Sequence, residues 1–172
     1  MPNWCTNSAV ITFKTSKEAD EFEEACKERK GGEPVPGTLL DVTEPMNLFQ
    51  YYLPMPVGTQ DWYSWRIHNW GTKWAPDIAN VSRISDHIVS IAFCTAWGPS
   101  LEWFQNCGLL HDWEWQLEYI ETGMCFAGIA EGDKYGSNND QFGESDEAYA
   151  EIAEHMGISL AEYDDDDPQP TT

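Results

Sequence analysis

Residues 113–119 alternate strictly between apolar and polar side chains. The apolar positions are Trp113, Trp115, Leu117 and Tyr119, and the polar positions between them are Glu114, Gln116 and Glu118. A period of two is typical of a β-strand with one buried face and one solvated face. The simplest interpretation is that this strand belongs to a sheet whose buried face lies under helices.

Further strands and helices surround this segment. Runs of β-branched and apolar residues predict strands over 8–13, 78–84, 87–95 and 124–130, of which the second and third form a hairpin. Thr15 to Glu18 reads as a capping box that begins a helix, and Gly98-Pro99 opens a shorter one. The order is β-α-β-β-α-β plus one strand, which predicts an α+β fold with an antiparallel sheet and helices on one face.

The tryptophan-rich part of the chain follows a long excursion. Residues 32–61 are rich in Pro and Gly, and apolar anchors interrupt them at Leu48, Phe49, Tyr51 and Tyr52. Residues 61–74 then carry four of the nine tryptophans, with a short helix predicted to end at Gly71. We favour packing of these tryptophans in the core. The alternative is an exposed aromatic platform, flanked by Arg66 and Lys73, that stacks bases or grips a peptide.

The charge of the chain restricts its partners. The 172 residues include 30 Asp and Glu against 9 Lys and Arg, a formal charge of −21. Nucleic-acid affinity comes largely from Lys and Arg that displace counterions, so direct nucleic-acid binding is disfavoured. A strongly negative surface instead steers basic partners. No apolar run approaches the length of a membrane span and no secretory signal is evident, so we expect a soluble cytoplasmic protein that does not bind membranes.

The C-terminal quarter is the most acidic. Beyond Glu131 the residues are mainly Gly, Asn, Asp and Ser, which predicts a polar loop, and Ser145 then caps an amphipathic helix. We therefore divide the chain into a domain over 1–131 with an insertion at 32–77, an acidic loop and docked helix over 132–163, and a disordered acidic tail over 164–172.

Metal, cofactor and catalytic signatures are weak. The five cysteines form no C-x-x-C pair and are expected to be buried thiols, and the four histidines show no ligand spacing. An EF-hand alignment from Asp133 to Glu144 fails at Tyr135 and Asn138. We predict no metal, no cofactor, no catalytic residue and no enzymatic activity. The one alternative is a pocket near Trp65, His68, Asn69 and Lys73.

Four short runs are similar to a known family. They are residues 1–5 (Met-Pro-Asn-Trp-Cys), 54–56 (Pro-Met-Pro), 69–74 (Asn-Trp-Gly-Thr-Lys-Trp) and 95–99 (Thr-Ala-Trp-Gly-Pro). Together they resemble the YubB-like ferredoxin-like domain of phage and plasmid proteins, over about residues 1–131. The resemblance implies a ferredoxin-like sheet and a protein encoded by a phage or mobile element that acts inside a bacterial host. It implies no reaction.

These observations lead to one favoured function and two alternatives. We expect a non-enzymatic acidic accessory protein that binds and inhibits a host nucleic-acid-acting (defence) protein with a basic surface, as a DNA mimic. The candidate binding residues are Asp146, Glu147, Glu151 and Glu154, together with Trp65, Asn69 and Lys73. The alternatives are a single-stranded nucleic-acid module that stacks bases on Trp113, Trp115 and Tyr119, or an accessory protein with no inhibitory role.

Overall fold

A computed structural model describes residues 3–27 and 47–160. In chain order its elements are β1 (Trp4–Thr12), α1 (Ser16–Ala25), α2 (Leu48–Tyr52), α3 (Trp62–Trp70), β2 (Asp77–Ser85), β3 (Ile88–Ala96), α4 (Leu101–His111), β4 (Glu114–Glu121), β5 (Phe126–Asp133), β6 (Gly136–Gly143) and α5 (Glu147–His155). The predicted tail 164–172 and the first part of the predicted insertion lie outside the described residues.

One antiparallel sheet organises the molecule. Its strand order is β2-β3-β1-β4-β5-β6, and every neighbouring pair is antiparallel. The predicted α+β class and the antiparallel sheet are therefore confirmed. No helix within residues 3–27 and 47–160 is long and apolar enough to cross a membrane.

The main core lies between one face of the sheet and the helices α1, α2 and α4. Alternate strand residues point into it, including Ile11, Ile91 and Leu117, which are almost fully buried. Aromatic rings from the helices meet them: the ring centres of Phe104 and Trp115 are 5.4 Å apart. The predicted buried face of the strand over 113–119 is thus confirmed.

Helix α5 lies on the face of the sheet opposite to α1, α2 and α4. Ile120 lies three residues after Leu117 on β4, so its side chain points to the opposite face of the sheet. It pairs with Ala127 on β5. These two side chains form an apolar patch on the second face, and Tyr149 and Ile152 of α5 bury it in a small second core. Covering this patch removes apolar surface from water, which gives α5 a reason to dock there.

Strand β6 occupies part of the segment that was predicted to be a loop, so this prediction was wrong. Residues 136–143 pair with β5 in an unbroken register from Phe126↔Gly143 to Asp133↔Gly136. Nearly every residue of β6 is solvent-exposed, because the strand forms the edge of the sheet. An edge strand that buries neither face needs no apolar alternation, which is the signal by which the other strands were predicted.

The helix termini agree in part with the sequence patterns. Thr15 and Glu18 form the predicted capping box at the start of α1. The tryptophan-rich helix α3 ends at Gly71 as expected. Helix α4 begins at Leu101, with Ser100 rather than Gly98 as its N-cap, so Pro99 is not its first residue. The apolar anchor at Leu48 and Phe49 forms the short buried helix α2 instead of a loop.

Candidate binding surfaces

Three distant segments meet at one end of the sheet. They are the start of β1, the end of β3, and the connection between α3 and β2. The backbone amide of Trp97 donates a hydrogen bond to the carbonyl of Asn3 over 2.9 Å. The buried hydroxyl of Thr72 donates to the carbonyl of Ala96 over 3.1 Å. Three of the four runs that carry the family resemblance are thereby brought into contact.

The three segments together present an exposed group of indole rings. Trp4, Trp74 and Trp97 are 47%, 40% and 55% exposed, and the ring centres of Trp4 and Trp74 are 6.1 Å apart. The ammonium nitrogen of Lys73 lies 4.1 Å from the ring centre of Trp74 and 5.3 Å from that of Trp97. We call these four residues the tryptophan cluster. Large side chains of this kind are normally buried, so a cluster of exposed ones marks a candidate interaction site.

A buried polar network fixes the turn that carries Trp97. The side-chain amide of Asn7 donates to the hydroxyl of Thr95 over 2.9 Å, and that hydroxyl donates to the carbonyl of Gly98 over 2.7 Å. Asn7 and Thr95 are fully buried. Buried polar groups that are satisfied in this way hold one defined backbone path. The Thr95 to Pro99 turn is therefore rigidly placed.

Trp97 itself adopts an uncommon backbone conformation. Its φ angle is +74°, in the left-handed region. For a bulky residue without a stabilising local side-chain hydrogen bond this conformation is strained. Such strain persists only where the surrounding structure imposes it, and it concentrates at functional sites. The strained residue is here also the most exposed tryptophan of the cluster.

The end of α3 directs Lys73 towards the indoles. Gly71 has a φ of +77°, and a Cβ at this position would collide with the carboxylate of Glu102. The left-handed φ favours glycine here, so Gly71 lets the chain leave the helix in this direction. The guanidinium of Arg66 donates to the carbonyl of Lys73 over 3.3 Å, which holds the backbone of the cluster from the helix side.

The predicted site residues of this segment have different roles. Trp65 is partly buried against the core, with its ring centre 5.7 Å from that of the fully buried Trp70. The amide of Asn69 donates to the carbonyl of Trp65 over 2.8 Å, so it stabilises α3 from within. Lys73 alone of the three predicted residues belongs to the tryptophan cluster. Core packing thus describes Trp70 and Trp65, whereas Trp62 and Trp74 are exposed.

Carboxylates project from the second face of the sheet and from the outer side of α5. Exposed members on the strands are Glu114, Glu131 and Asp140, and those on the helix are Glu147, Glu151 and Glu154. We call these six residues the acidic face. Three of them, Glu147, Glu151 and Glu154, were predicted as binding residues, and all three are exposed on α5. Asp146 has a local role, because its carboxylate accepts a hydrogen bond from the amide of Gly143 over 2.7 Å.

Cations elsewhere in the described residues are largely neutralised by nearby acids. The pairs are Lys14 and Lys134 with Asp112, Lys17 with Glu21, Lys27 with Glu24, and Arg83 with Asp20 and Glu23. Lys73 is different, since within residues 3–27 and 47–160 no carboxylate lies within ion-pair distance of it. No basic stripe that could follow a phosphate backbone runs across the surface of these residues.

The aromatic residues proposed for base stacking are inaccessible. Trp113, Trp115 and Tyr119 are each at most 3% exposed and pack under the helices. A base cannot stack on a ring that is already enclosed, so the alternative of a single-stranded nucleic-acid module lacks the surface on which it depended.

The cysteines follow the predicted structural role only in part. Cys5, Cys26 and Cys107 are buried, whereas Cys94 and Cys125 are partly exposed. Burial raises the pKa of the Cys26 thiol to about 12, and it also raises the pKa of Cys5 and Cys107. These three buried thiols are held in the protonated, unreactive form. Among the described residues, no group of three His, Cys, Asp or Glu side chains is placed to hold a metal ion.

Trp4 and Trp97 were not predicted as site residues, and Trp74 was considered only as part of the alternative aromatic platform over 61–74. The signal that could have identified them is that each of the short runs 3–5, 69–74 and 95–99 combines a tryptophan with Asn, Gly or Pro outside any apolar alternation. What no single run reveals is that the three lie together.

Comparisons with known proteins agree with the class of fold. No family model matches the chain, and no curated protein matches it. Among solved structures, the chain is similar to protein api92 from Yersinia pseudotuberculosis, of the family DUF1281. The TM-score is 0.60 at 11% sequence identity, and the match covers 83% of this chain and 99% of the other. At this identity the likeness supports the α+β fold alone.

Proposed function

We propose that this protein is a non-enzymatic interaction protein that binds the basic surface of a nucleic-acid-acting protein and inhibits it as a DNA mimic. The observation that carries the proposal is the acidic face. Its carboxylates lie on ordered strands and on α5, with Lys134 as the one cation from residue 114 to residue 154, and Lys134 is already paired with Asp112. A surface of this kind presents fixed negative charge to a surface that normally binds phosphates.

Preorganisation strengthens the proposal. Glu147, Glu151 and Glu154 recur at i, i+4 and i+7 on one exposed side of α5, and the buried Tyr149 and Ile152 fix that helix on the sheet. Charges that are ordered before binding lose little conformational entropy on association. Like charges three and four residues apart also repel one another, so this arrangement is not the one that helix stability favours.

We further propose a ferredoxin-like topology and a phage or mobile-element origin. Strands β1 to β4 have the spatial order β4-β1-β3-β2, with α1 and α4 on the same face, which supports a split β-α-β arrangement. The YubB-like sequence runs support the origin. A bacterial host cytoplasm would then be the place of action, and a host defence protein the partner.

The test is capture of partners from a bacterial lysate, with release by duplex DNA as the deciding measurement. Proteins retained by the wild type should be released by added duplex DNA and by high salt, because DNA would compete for the same basic surface. Replacing Glu147, Glu151 and Glu154 with Gln should reduce retention strongly.

A matched control removes the same charge elsewhere. Glu21 and Glu24 on α1 and Asp86 in the β2–β3 turn are exposed and lie away from α5, and changing them to Gln or Asn should leave retention nearly unchanged. Equal losses in both triple variants would mean that net charge alone acts. Retention that DNA does not affect would contradict DNA mimicry and favour an accessory protein without an inhibitory role.

A further inference from the structure

We propose that the tryptophan cluster is an arginine-binding site, in which the ammonium group of Lys73 occupies the position that a guanidinium of the partner takes. This inference deepens the proposed function, because it rests on a basic partner and names the side chain that anchors it. It also names a ligand for the exposed indoles. The acidic face alone does not explain what these rings bind.

The contacts of Lys73 show that the cluster accepts a cation. Its ammonium group lies over the rings of Trp74 and Trp97, at 4.1 Å and 5.3 Å from their centres. The negative face of an indole attracts cations within about 6 Å of the ring centre. No carboxylate in the described residues lies within ion-pair distance of Lys73, so the rings are the groups that hold its charge in place.

Arginine fits this site better than other ligands do. A planar guanidinium stacks on an indole face and is more weakly hydrated than an ammonium group, so it has the advantage over Lys73 in the same position. A formal charge of −21 on the whole chain attracts a cationic ligand and repels an anionic one. One lysine held between two rings does not offset that field.

The construction of the cluster suits an anchor site. The backbone of Trp97 is fixed by the buried Asn7 and Thr95 network and by its hydrogen bond to Asn3, so the residue loses little backbone entropy on binding. Tryptophan and arginine are the residue types most enriched among those that dominate binding energy at interfaces. An indole carried on a strained and fixed backbone therefore suits an arginine of the partner.

The cluster and the acidic face can contact one partner. Trp4 points to the same face of the sheet as Thr6, two residues on, and Thr6 pairs directly with Ile120, which packs under α5. The tryptophan cluster thus borders the face that carries the acids. A basic surface lying across α5 and β5 would bring an arginine at its edge to the indoles.

The probe for this site is an acetylated, amidated tetra-arginine peptide, with tetra-lysine and tetra-glutamate peptides for comparison. Binding is followed by the indole N–H signals of Trp4, Trp74 and Trp97 in NMR spectra. We expect tetra-arginine to shift these signals and to bind several-fold more tightly than tetra-lysine, whereas tetra-glutamate should not bind.

Variants test the assignment of residues. Trp97→Asn suits the left-handed backbone and should weaken tetra-arginine binding about threefold to thirtyfold. Lys73→Met should strengthen binding, because it removes the competing cation. Trp62→Ala is the matched control: Trp62 is exposed and stacks on Arg66 but lies outside the cluster, so affinity should be unchanged. Thermal melts of each variant verify that it is folded.

The possible results separate this inference from the proposed function. Binding of tetra-glutamate would show an anion site and overturn the inference. Weaker tetra-arginine binding in Lys73→Met, or unchanged affinity in Trp97→Asn, would also overturn it, because the arginine would then not replace the Lys73 ammonium group or not contact the Trp97 ring. If only the variant lacking Glu147, Glu151 and Glu154 lost the peptide, the acidic face would stand and the arginine site would fail. If only Trp97→Asn lost it, the arginine site would stand and the acidic face would not be the working surface.

Discussion

The amide of Trp97 donates a hydrogen bond to the carbonyl of Asn3 over 2.9 Å, across 94 positions of sequence. This contact extends the pairing of β1 and β3 beyond its last partners, Trp4 and Ala96. It places two exposed tryptophans on neighbouring chain segments, where Trp74 and Lys73 join them. The candidate anchor site is thus a product of the sheet register as much as of the tryptophans themselves.

Trp70→Ala should lower the free energy of unfolding by about 3–5 kcal/mol, as is typical of removing a large buried aromatic side chain. Trp70 is fully buried, and its indole N–H donates to the carbonyl of Leu53 over 2.9 Å. Urea denaturation measures the change. The control Trp62→Ala removes a ring that is 44% exposed and should lower stability by at most about 1 kcal/mol. Similar losses in both variants would contradict the division of the segment into core and surface.

Trp97→Asn should leave the free energy of unfolding unchanged or raise it by up to about 1 kcal/mol, because asparagine tolerates a φ of +74° better than tryptophan does. Trp4→Asn provides the contrast, since Trp4 lies in a strand, where asparagine is disfavoured, and this change should destabilise. Chemical denaturation of both variants measures the sign of the change in the free energy of unfolding. A clear loss of stability in Trp97→Asn would mean that the Trp97 ring supports the fold.

Glu151→Gln should stabilise the protein. Glu151 lies four residues from Glu147 and three from Glu154, and each like-charge pair at these spacings destabilises a helix by about 0.2–0.5 kcal/mol. The gain should shrink as salt is added, because exposed charges are screened. Glu21→Gln on α1 is the control, since the carboxylate of Glu21 lies 3.9 Å from the ammonium group of Lys17. A gain of equal size in the control would point to general charge repulsion instead.

Asp112→Asn should destabilise the protein at neutral pH and have little effect in acid. Ion pairs, first with Lys14 and then with Lys134, hold the pKa of Asp112 below its ordinary value. A carboxyl whose pKa is lowered by folding stabilises the native state above its unfolded pKa, and this contribution is lost as the pH falls through the folded pKa. Unfolding of both proteins at pH 7 and below about pH 4 measures the difference. Asparagine tolerates the positive φ of this position, so backbone strain does not confuse the result.

Alkylation of the native protein should spare the buried cysteines. Iodoacetamide reacts with the thiolate, and burial raises the pKa of Cys26 to about 12 and raises that of Cys5 and Cys107 as well. At pH 8 we expect slow labelling at Cys94 and Cys125, which are partly exposed. Peptide mass spectrometry identifies the modified sites, and denatured protein provides the reference rate. Labelling of Cys107 at the denatured rate would contradict the native burial.

Sequence patterns predicted those parts of the fold that bury one face. The alternation from Trp113 to Tyr119 correctly predicted which face of the central strand β4 is buried. The capping box at Thr15 correctly predicted where α1 begins. Strand β6 was missed because its residues, such as Asn138 and Asp140, bury neither face, and strand pairing at an edge leaves no apolar period. Backbone pairing, which is independent of side-chain type, positions it.

The candidate site was less predictable than the fold. The periodicity of α5 correctly placed Glu147, Glu151 and Glu154 on an exposed side, because that depends on spacing along one helix. The tryptophan cluster depends on contacts between residues far apart in the chain, and no local pattern reports such contacts. The left-handed backbone at Trp97 gave no sequence signal either, since this conformation normally marks glycine, asparagine or aspartate.

Because α5 lies on the far side of the sheet, substitutions in it and its local opening are expected to be independent of the main core. Its small core of Ile120, Ala127 and the helix side chains shares no buried residue with the main core. Substitutions in two such separate clusters are expected to act additively. Transient opening of α5, seen by hydrogen exchange, should then leave the rest of the sheet protected. Helix α5 can then accumulate substitutions while the domain that carries it stays folded.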